Sequence, residues 1–206
     1  MGRRGRANLI EEQFYFVTTT VVDRINVFTE DRYCDILVRN IRHYQKRYEF
    51  SVLGYVIMPS HFHLIVEVDP RKGTISDIMR DIKKYSAWDL LEALQNDGRT
   101  DLTQLFRDRG KAFPNHKHKL WMSRFDDEVV RNQQMFWAKL SYIHRNPVEA
   151  GLVERQEDYR YSSARNYGVG DHSVLYVDTK WSHPWRCHEM VHDIPETGSM
   201  NGVGGQ

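Results

Sequence analysis

Within the first fifty residues, the pattern of apolar and polar positions changes from one typical of a strand to one typical of a helix. Residues 14–22, FYFVTTTVV, are rich in aromatic and β-branched side chains, which is typical of a strand. Residues 30–48 carry apolar side chains at helical spacing, with charged residues between them. This second segment is therefore predicted to be an amphipathic helix with one buried face.

The next elements follow without a long connection. Two apolar runs, 50–59 and 61–68, meet at a Pro-Ser pair, which predicts two neighbouring strands of a hairpin. Residues 74–95 then return to the helical spacing. Either Thr74 or Ser76 is expected to cap the N-terminus of this second helix.

The second half of the chain begins with a polar stretch. Residues 96–119 contain Gly and Pro and predict an exposed connection with short helical pieces. Residues 120–130, LWMSRFDDEVV, are short and aromatic and predict a further strand. Residues 132–146 show helical spacing and are followed by Pro147, which is expected to end that helix.

The order strand–helix–strand–strand–helix–strand is that of the split βαβ, or ferredoxin-like, α+β fold. It predicts an antiparallel sheet that two helices cover on one face. The helix at 132–146 is then an addition that lies against the open face. We expect one domain over residues 10–167 and an extension over 168–206, which should be partly flexible because it is rich in turn residues and glycine.

Composition argues against a membrane-spanning protein and against a secreted, disulfide-stabilised one. The 206 residues carry a net charge of +1, contain no apolar run long enough to span a membrane and show no signal-peptide pattern. The two cysteines provide no disulfide framework, which favours a reducing compartment. We therefore expect a cytoplasmic protein with no membrane partner.

Basic residues are clustered despite the low net charge. No Lys or Arg follows Arg186, so the preceding part of the chain is more basic than the total. This distribution indicates an anionic partner, most obviously nucleic acid, unless the clusters are solvated faces balanced by local acids. Arg124 has such an alternative in Asp126 and Asp127. The candidate DNA-binding residues are Arg3, Arg4, Arg6, Lys83, Lys84, Lys117 and Arg124.

The sequence VIMPSHFHLIVEV, residues 56–68, contains the most informative spacing in the chain. His61 and His63 are two residues apart in an apolar strand, so both imidazoles project from the same face of the sheet. Burying polar rings without partners is unfavourable. The pair is either half of a metal site on a rigid element or two rings that each hydrogen-bond a neighbour.

Four strings of residues resemble a known family. MPSHFHLIVEV is similar to the histidine–hydrophobic–histidine motif of the single-tyrosine HUH transposases. Downstream, LWMSRFDDEVV, YIHRNPVEAGLV and DYRYSSARNY resemble the branch called REP-associated tyrosine transposases. The resemblance runs from about Phe14 to Tyr167. An isolated HxH is a weak signal, but HxH followed by these strings in this order is a strong one.

The resemblance implies a ferredoxin-like fold and a metal-dependent enzyme. Such an enzyme nicks and rejoins single-stranded DNA at hairpin, REP-like palindromic sequences through a tyrosine joined to the 5′ phosphate. Carried over to this chain, Tyr142 is the expected nucleophile. His61, His63 and Asn146 are the expected ligands of Mg²⁺ or Mn²⁺, and the two nitrogens favour Mn²⁺ somewhat. Tyr142 and Asn146 are four residues apart, so a helix places both on one face.

An alternative function is a domesticated protein that binds hairpin DNA without cleaving it. The four expected site residues are all present, which argues against such decay. The NPVEAGLV string favours a monomer that uses its own tyrosine over a dimer that exchanges tyrosine helices. A ferredoxin-like RNA-binding module is disfavoured because the strands lack its aromatic signature.

The remaining histidines support weaker hypotheses. His144 lies off the helix face of Tyr142 and is expected at the surface. His116 and His118 stand among lysines and are interpreted either as part of a phosphate-contacting loop or as solvated charge. A zinc-binding set near the C-terminus competes with simple packing. Its members are His183, Cys187, His188 and His192.

Overall fold

The computed structural model describes residues 13–113 and 117–180. Arg3, Arg4, Arg6, His116 and the four candidate zinc ligands lie outside these residues. The strands are β1 (Phe14–Thr20), β2 (Ser51–Met58), β3 (His61–Glu67) and β4 (Asp126–Val129). The helices are α1 (Asp31–Tyr48), α2 (Ile75–Asn96), α3 (Thr100–Lys111), α4 (Gln133–Glu149) and α5 (Ala164–Val169).

The strands form one four-stranded antiparallel sheet in the order β2-β3-β1-β4. This confirms the predicted α+β, ferredoxin-like arrangement, with β3 and β1 in the centre of the sheet. Successive side chains of a strand point to opposite faces. On β3, Phe62 and Leu64 therefore join the core beneath one face, whereas His63 and Ile65 point to the other.

Helices α1 and α2 cover the face that contains Phe62 and Leu64. The apolar stripe of α1 is buried there as its spacing predicts. Helix α2 begins with a capping box, in which the Thr74 hydroxyl accepts a hydrogen bond from the Asp77 N–H at 3.2 Å and the Asp77 carboxylate accepts one from the Thr74 N–H. Thr74, rather than Ser76, is therefore the N-cap.

Helix α4 packs on the opposite face of the sheet, as predicted for the added helix. Phe136, Leu140 and Ile143 are fully or almost fully buried against side chains of β1, β2 and β3. Gly54 of β2 lies directly beneath the helix. A Cβ atom at this position would be 2.7 Å from Leu140 Cδ1, so the missing side chain lets the helix approach the sheet closely.

The second half of the chain differs from its prediction in three places. Residues 100–111 form a regular helix rather than short pieces, because Leu102 and Phe106 pack into the core one turn apart. The strand predicted at 120–130 is shortened to β4, although Trp121 still forms an isolated bridge with Val21. Pro147 does not end α4, which continues to Glu149. A proline in the last turn removes only one helical hydrogen bond, so the helix tolerates it there.

The ordered core continues beyond the position expected for the end of the domain. Leu175 and Val177 are buried in the same cluster as α1 and α2, and the Asp178 N–H donates to the Val52 carbonyl at 2.9 Å. The boundary at residue 167 stays a prediction. Among the described residues, no helix combines the length and the apolar character that crossing a membrane requires.

Candidate active site

His61 and His63 stand side by side on the sheet face that α4 covers. Their ring centroids are 5.0 Å apart, and the rings are nearly perpendicular. The Nδ1 atom of His63 lies 2.8 Å from the hydroxyl of Thr18, which is its partner across the β1–β3 register. The Nδ1 atom of His61 lies 3.3 Å from the hydroxyl of Ser60. Both rings are thus held through the same nitrogen.

The other nitrogen of His63 has the property that a metal ligand needs. Its Nε2 atom is buried and has no hydrogen-bond partner among the described residues. In metal sites the ligating histidine is usually oriented by a hydrogen bond from its second nitrogen, which is the part that Thr18 plays here. An orphaned ring nitrogen beside a second imidazole therefore fits a divalent cation.

The electrostatics of the pair favour neutral rings. Burial, together with the charges of His61 and Lys139, lowers the pKa of His63 to about 3. Burial and the nearby Arg24 also lower the pKa of His61. Because only a neutral imidazole can donate a lone pair to a metal, both rings are in the ligating form at neutral pH.

Tyr142 lies next to the histidine pair in the same chain. Its ring is 5.5 Å from the ring of His63, edge to face, and 6.2 Å from that of Phe16. Phe16 in turn stacks on His63 at 5.3 Å. The side chain of Tyr142 is 41 % exposed, which is unusual for an aromatic residue packed against a sheet. The ring of Tyr142 is therefore in contact with His63 and also accessible to solvent.

Asn146 follows Tyr142 by one turn of α4 and is buried. Its amide makes no hydrogen bond to either imidazole within the described part of the chain. Across the same residues, no three His, Cys, Asp or Glu side chains are grouped as metal ligands. A metal here would therefore have to be completed by an amide oxygen from α4, by water or by a substrate oxygen.

Lys139 is a site residue that the sequence reasoning missed. It precedes Tyr142 by three residues on α4, and its ammonium lies 4.8 Å from the centroid of the Phe16 ring. It also forms an ion pair with Glu128 of β4. Its position at i−3 from the tyrosine could have identified it, because residues three apart share a helix face. Thr18 could not have been found without knowing the β1–β3 register.

The surface position expected for His144 is wrong. The residue is buried, and its Nε2 atom lies 2.8 Å from the Ser163 hydroxyl, which also accepts a hydrogen bond from the Tyr55 N–H at 3.0 Å. The chain after α4 returns across β2, where Ser162 forms a bridge with Val56, and it covers this side of the helix. Burial lowers the pKa of His144 to about 4, despite the opposing charge of Glu157.

Of the candidate DNA-binding residues that the structure describes, three lie away from the histidines. Lys83 and Lys84 lie on α2, on the other side of the sheet, and Lys117 faces the same region. Lys84, Lys117 and Arg124 are exposed, whereas Lys83 is half-buried and donates a hydrogen bond to the Met122 carbonyl at 2.8 Å. The structure thus separates Lys83, Lys84 and Lys117 from the candidate catalytic residues.

Known proteins match this chain over most of its length. The family model described as "Transposase IS200 like" matches residues 11–109, which include both histidines and end before α4. A Haemophilus influenzae protein, named as a candidate REP-associated tyrosine transposase, is 23 % identical over 158 residues, or 77 % of this chain and 83 % of that protein.

A solved structure has the same fold. It is a REP-associated tyrosine transposase bound to a REP hairpin, with a TM-score of 0.59 and 22 % identity, and the match covers 90 % of this chain and 93 % of that one. The family model, the relative and the fold therefore agree with the motifs in the sequence. Over residues 11–109 the chain is thus similar in sequence to IS200-like transposases, and its fold is similar to that of a REP-associated tyrosine transposase.

Proposed function

We propose that this protein nicks and rejoins single-stranded DNA at hairpin sequences through Tyr142. The observation that carries the proposal is the position of the phenol, which is exposed and 5.5 Å from the His63 ring of the same chain. The relatives support the choice of substrate, since one of them is a REP-associated transposase bound to a REP hairpin. The contact between Tyr142 and His63 of the same chain supports a monomer as the active form.

The proposed metal site consists of His61, His63 and Asn146. Two neutral imidazoles and an amide oxygen contribute no negative charge, so a bound Mg²⁺ or Mn²⁺ would keep its full charge and polarise a phosphate oxygen. The orphaned Nε2 atom of His63 supports this assignment. Thr18 holds the His63 ring in its orientation, and burial keeps the ring neutral.

The covalent step would begin with attack of the Tyr142 oxygen on the scissile phosphorus. The phenol gives up its proton as the new bond forms, and the bond from phosphorus to the 3′ oxygen breaks. The leaving 3′ oxygen takes up one proton and becomes a hydroxyl, while the 5′ phosphate stays joined to the tyrosine. Attack on a phosphodiester is opposed by its negative charge, and positive groups near the phosphate reduce that opposition. The ammonium of Lys139, one turn before Tyr142, is such a group.

Rejoining would be the reverse of this step. The phosphotyrosine keeps the energy of the broken bond, so a 3′ hydroxyl can attack it and restore a phosphodiester. This reversibility is what distinguishes strand transfer from simple nuclease cleavage.

The test is the formation of a covalent protein–DNA adduct. Wild-type protein, incubated with labelled hairpin DNA and Mn²⁺, should give a band that remains shifted on a denaturing gel. The Tyr142→Phe variant should give none while still binding the hairpin, since it loses only the attacking oxygen. Tyr176→Phe, at a tyrosine that is 62 % exposed and whose ring lies beside His172, is the matched control.

Two outcomes would contradict the proposal. Adduct formation by Tyr142→Phe would exclude Tyr142 as the nucleophile. Hairpin binding by wild-type protein without any adduct, across Mg²⁺ and Mn²⁺, would favour the alternative of a domesticated DNA-binding protein.

A further inference from the structure

A cavity of about 920 Å³ lies between α2 and residues 117–125. It is on the α1 and α2 side of the sheet, opposite to His61, His63 and Tyr142. Apolar side chains that line it include Ala87, Leu91 and Trp121. Its volume is within the range of pockets that enclose a small organic ligand.

The walls of the cavity are fixed by specific contacts. The Trp121 indole N–H donates to the Ser86 hydroxyl at 3.1 Å, which joins the 117–125 segment to α2. The Lys119 N–H donates to the Phe106 carbonyl of α3 at 2.9 Å. A Cβ atom at Gly110 would lie 2.8 Å from the backbone of His118, so this glycine permits a close approach. These contacts join the described walls of the cavity to α2 and α3.

The cavity is strongly basic. Five cationic side chains line it, and no carboxylate is among its described lining residues. Arg80 is already paired with Asp77 and Asp81 on its own helix. Burial, together with the charge of Lys119, lowers the pKa of Lys83 to about 8. The cationic residues are Arg80, Lys83, Lys84, Lys117 and Lys119.

Aromatic rings stand beside the ammonium groups at the opening. Trp88 is 57 % exposed, and the Lys84 ammonium is 4.9 Å from the centroid of its ring. Phe113 is also exposed, and the Lys119 ammonium is 3.4 Å from its centroid. An exposed ring beside an ammonium suits a ligand that has both a flat aromatic part and a phosphate.

We propose that this cavity binds an unpaired nucleotide of a DNA strand. Its base would stack on Trp88, and its phosphates would contact Lys84 and Lys119. The ligand class rests on the proposed function, because both concern single-stranded DNA, but the two sites use different residues on opposite faces of the sheet. Single-stranded regions beside a hairpin could thus be held at a second point, away from the scissile phosphate.

The experiment measures binding of a labelled oligothymidine of about eight nucleotides by fluorescence anisotropy over a range of salt concentrations. The full chain with Tyr142→Phe serves as the background, so that cleavage cannot interfere. Adding Trp88→Ala should weaken binding about tenfold, because stacking of one base is lost. Tyr176→Ala removes a similarly exposed aromatic side chain elsewhere and should leave the affinity within about twofold.

The roles of Lys84 and Lys119 are tested by measuring how the affinity for the oligonucleotide depends on salt concentration. Lys84→Gln combined with Lys119→Gln removes two phosphate contacts, so the slope of log affinity against log salt should become shallower by about 1.4. Arg39→Gln combined with Lys46→Gln removes the same charge from exposed positions of α1 and should leave the slope unchanged. Circular dichroism checks that each variant is folded.

The proposal would be overturned if Trp88→Ala bound the oligonucleotide as tightly as Tyr176→Ala and the two double lysine and arginine variants showed the same dependence of affinity on salt. It would also fail if a polyglutamate peptide displaced the oligonucleotide at lower concentration than unlabelled oligothymidine, since an acidic protein would then be the better ligand. Adduct formation is scored separately, in chains that retain Tyr142. Loss of adducts with the cavity effects intact would reject only the proposed catalysis.

Discussion

Replacing Thr18 with valine should weaken metal binding at the histidine pair by about 10- to 100-fold. The substitution keeps the β-branched shape and removes only the hydroxyl that lies 2.8 Å from His63 Nδ1. Without that hydrogen bond the ring can rotate, and the Nε2 atom loses its fixed direction. The expected loss corresponds to about 1.4–2.7 kcal/mol of binding free energy.

The affinity for Mn²⁺ can be measured by calorimetric titration of the wild-type and Thr18→Val proteins. The neighbouring residue provides a close control. Thr19 points to the opposite face, and its hydroxyl is buried without a hydrogen-bond partner among the described residues. Thr19→Val should therefore leave Mn²⁺ affinity unchanged, and it should not reduce the free energy of unfolding, because it removes an unsatisfied polar group.

Equal Mn²⁺ affinities for Thr18→Val and Thr19→Val would refute the reasoning. Such a result would mean that the Thr18 hydroxyl does not orient the His63 ring for a metal. A large fall in the stability of Thr18→Val, beyond the roughly 1 kcal/mol expected for one hydrogen bond, would show instead that the hydroxyl serves the fold.

Two further predictions concern the polar contacts that hold the helices in place. His144→Ala should lower the free energy of unfolding, measured by urea titration, by about 1–3 kcal/mol, because it removes a buried hydrogen bond to Ser163. His43 is exposed, so His43→Ala serves as the control, and an equal effect of both variants would contradict the prediction. For Asp81, burial raises the pKa of the carboxyl, but hydrogen bonds from Arg80 and Tyr48 outweigh burial and lower it. The stabilisation is therefore present above the unfolded pKa of about 3.9 and is lost as the pH falls through the lower folded value. Between about pH 5 and about pH 3, the free energy of unfolding should fall more for the wild-type protein than for Asp81→Asn. If both proteins lost stability in parallel over this range, the ionised Asp81 carboxylate would not be the cause.

The sequence predicted most of the fold because its patterns are local. The helical stripe of α1 and the paired apolar runs of β2 and β3 are buried as their spacing requires. The length of helix α3 was underestimated because the burial of Leu102 and Phe106 depends on α2, and the sequence around them is mostly charged. Pro147 was misjudged because its effect depends on how many turns of helix follow it.

The candidate site was predictable where the spacing within one element determines geometry. His61 and His63 share a face because they are two apart in a strand, and Tyr142 and Asn146 share one because they are four apart in a helix. The approach of Tyr142 to His63 joins elements distant in sequence, and only the motif resemblance indicated it. The bonds of Thr18 to His63 and of His144 to Ser163 depend on strand register and on a returning loop, so no local pattern predicts them.

The bare backbone at Gly54 links two positions that are far apart in sequence. Gly54→Ala would bring a methyl group to 2.7 Å from Leu140 Cδ1, and either that leucine would change its rotamer or the whole helix would rise from the strands. A rise would carry the phenol away from the imidazoles, since Tyr142 follows Leu140 by only half a turn. Related chains with a larger residue in the place of Gly54 should therefore have a smaller one in the place of Leu140, so that the two positions vary together.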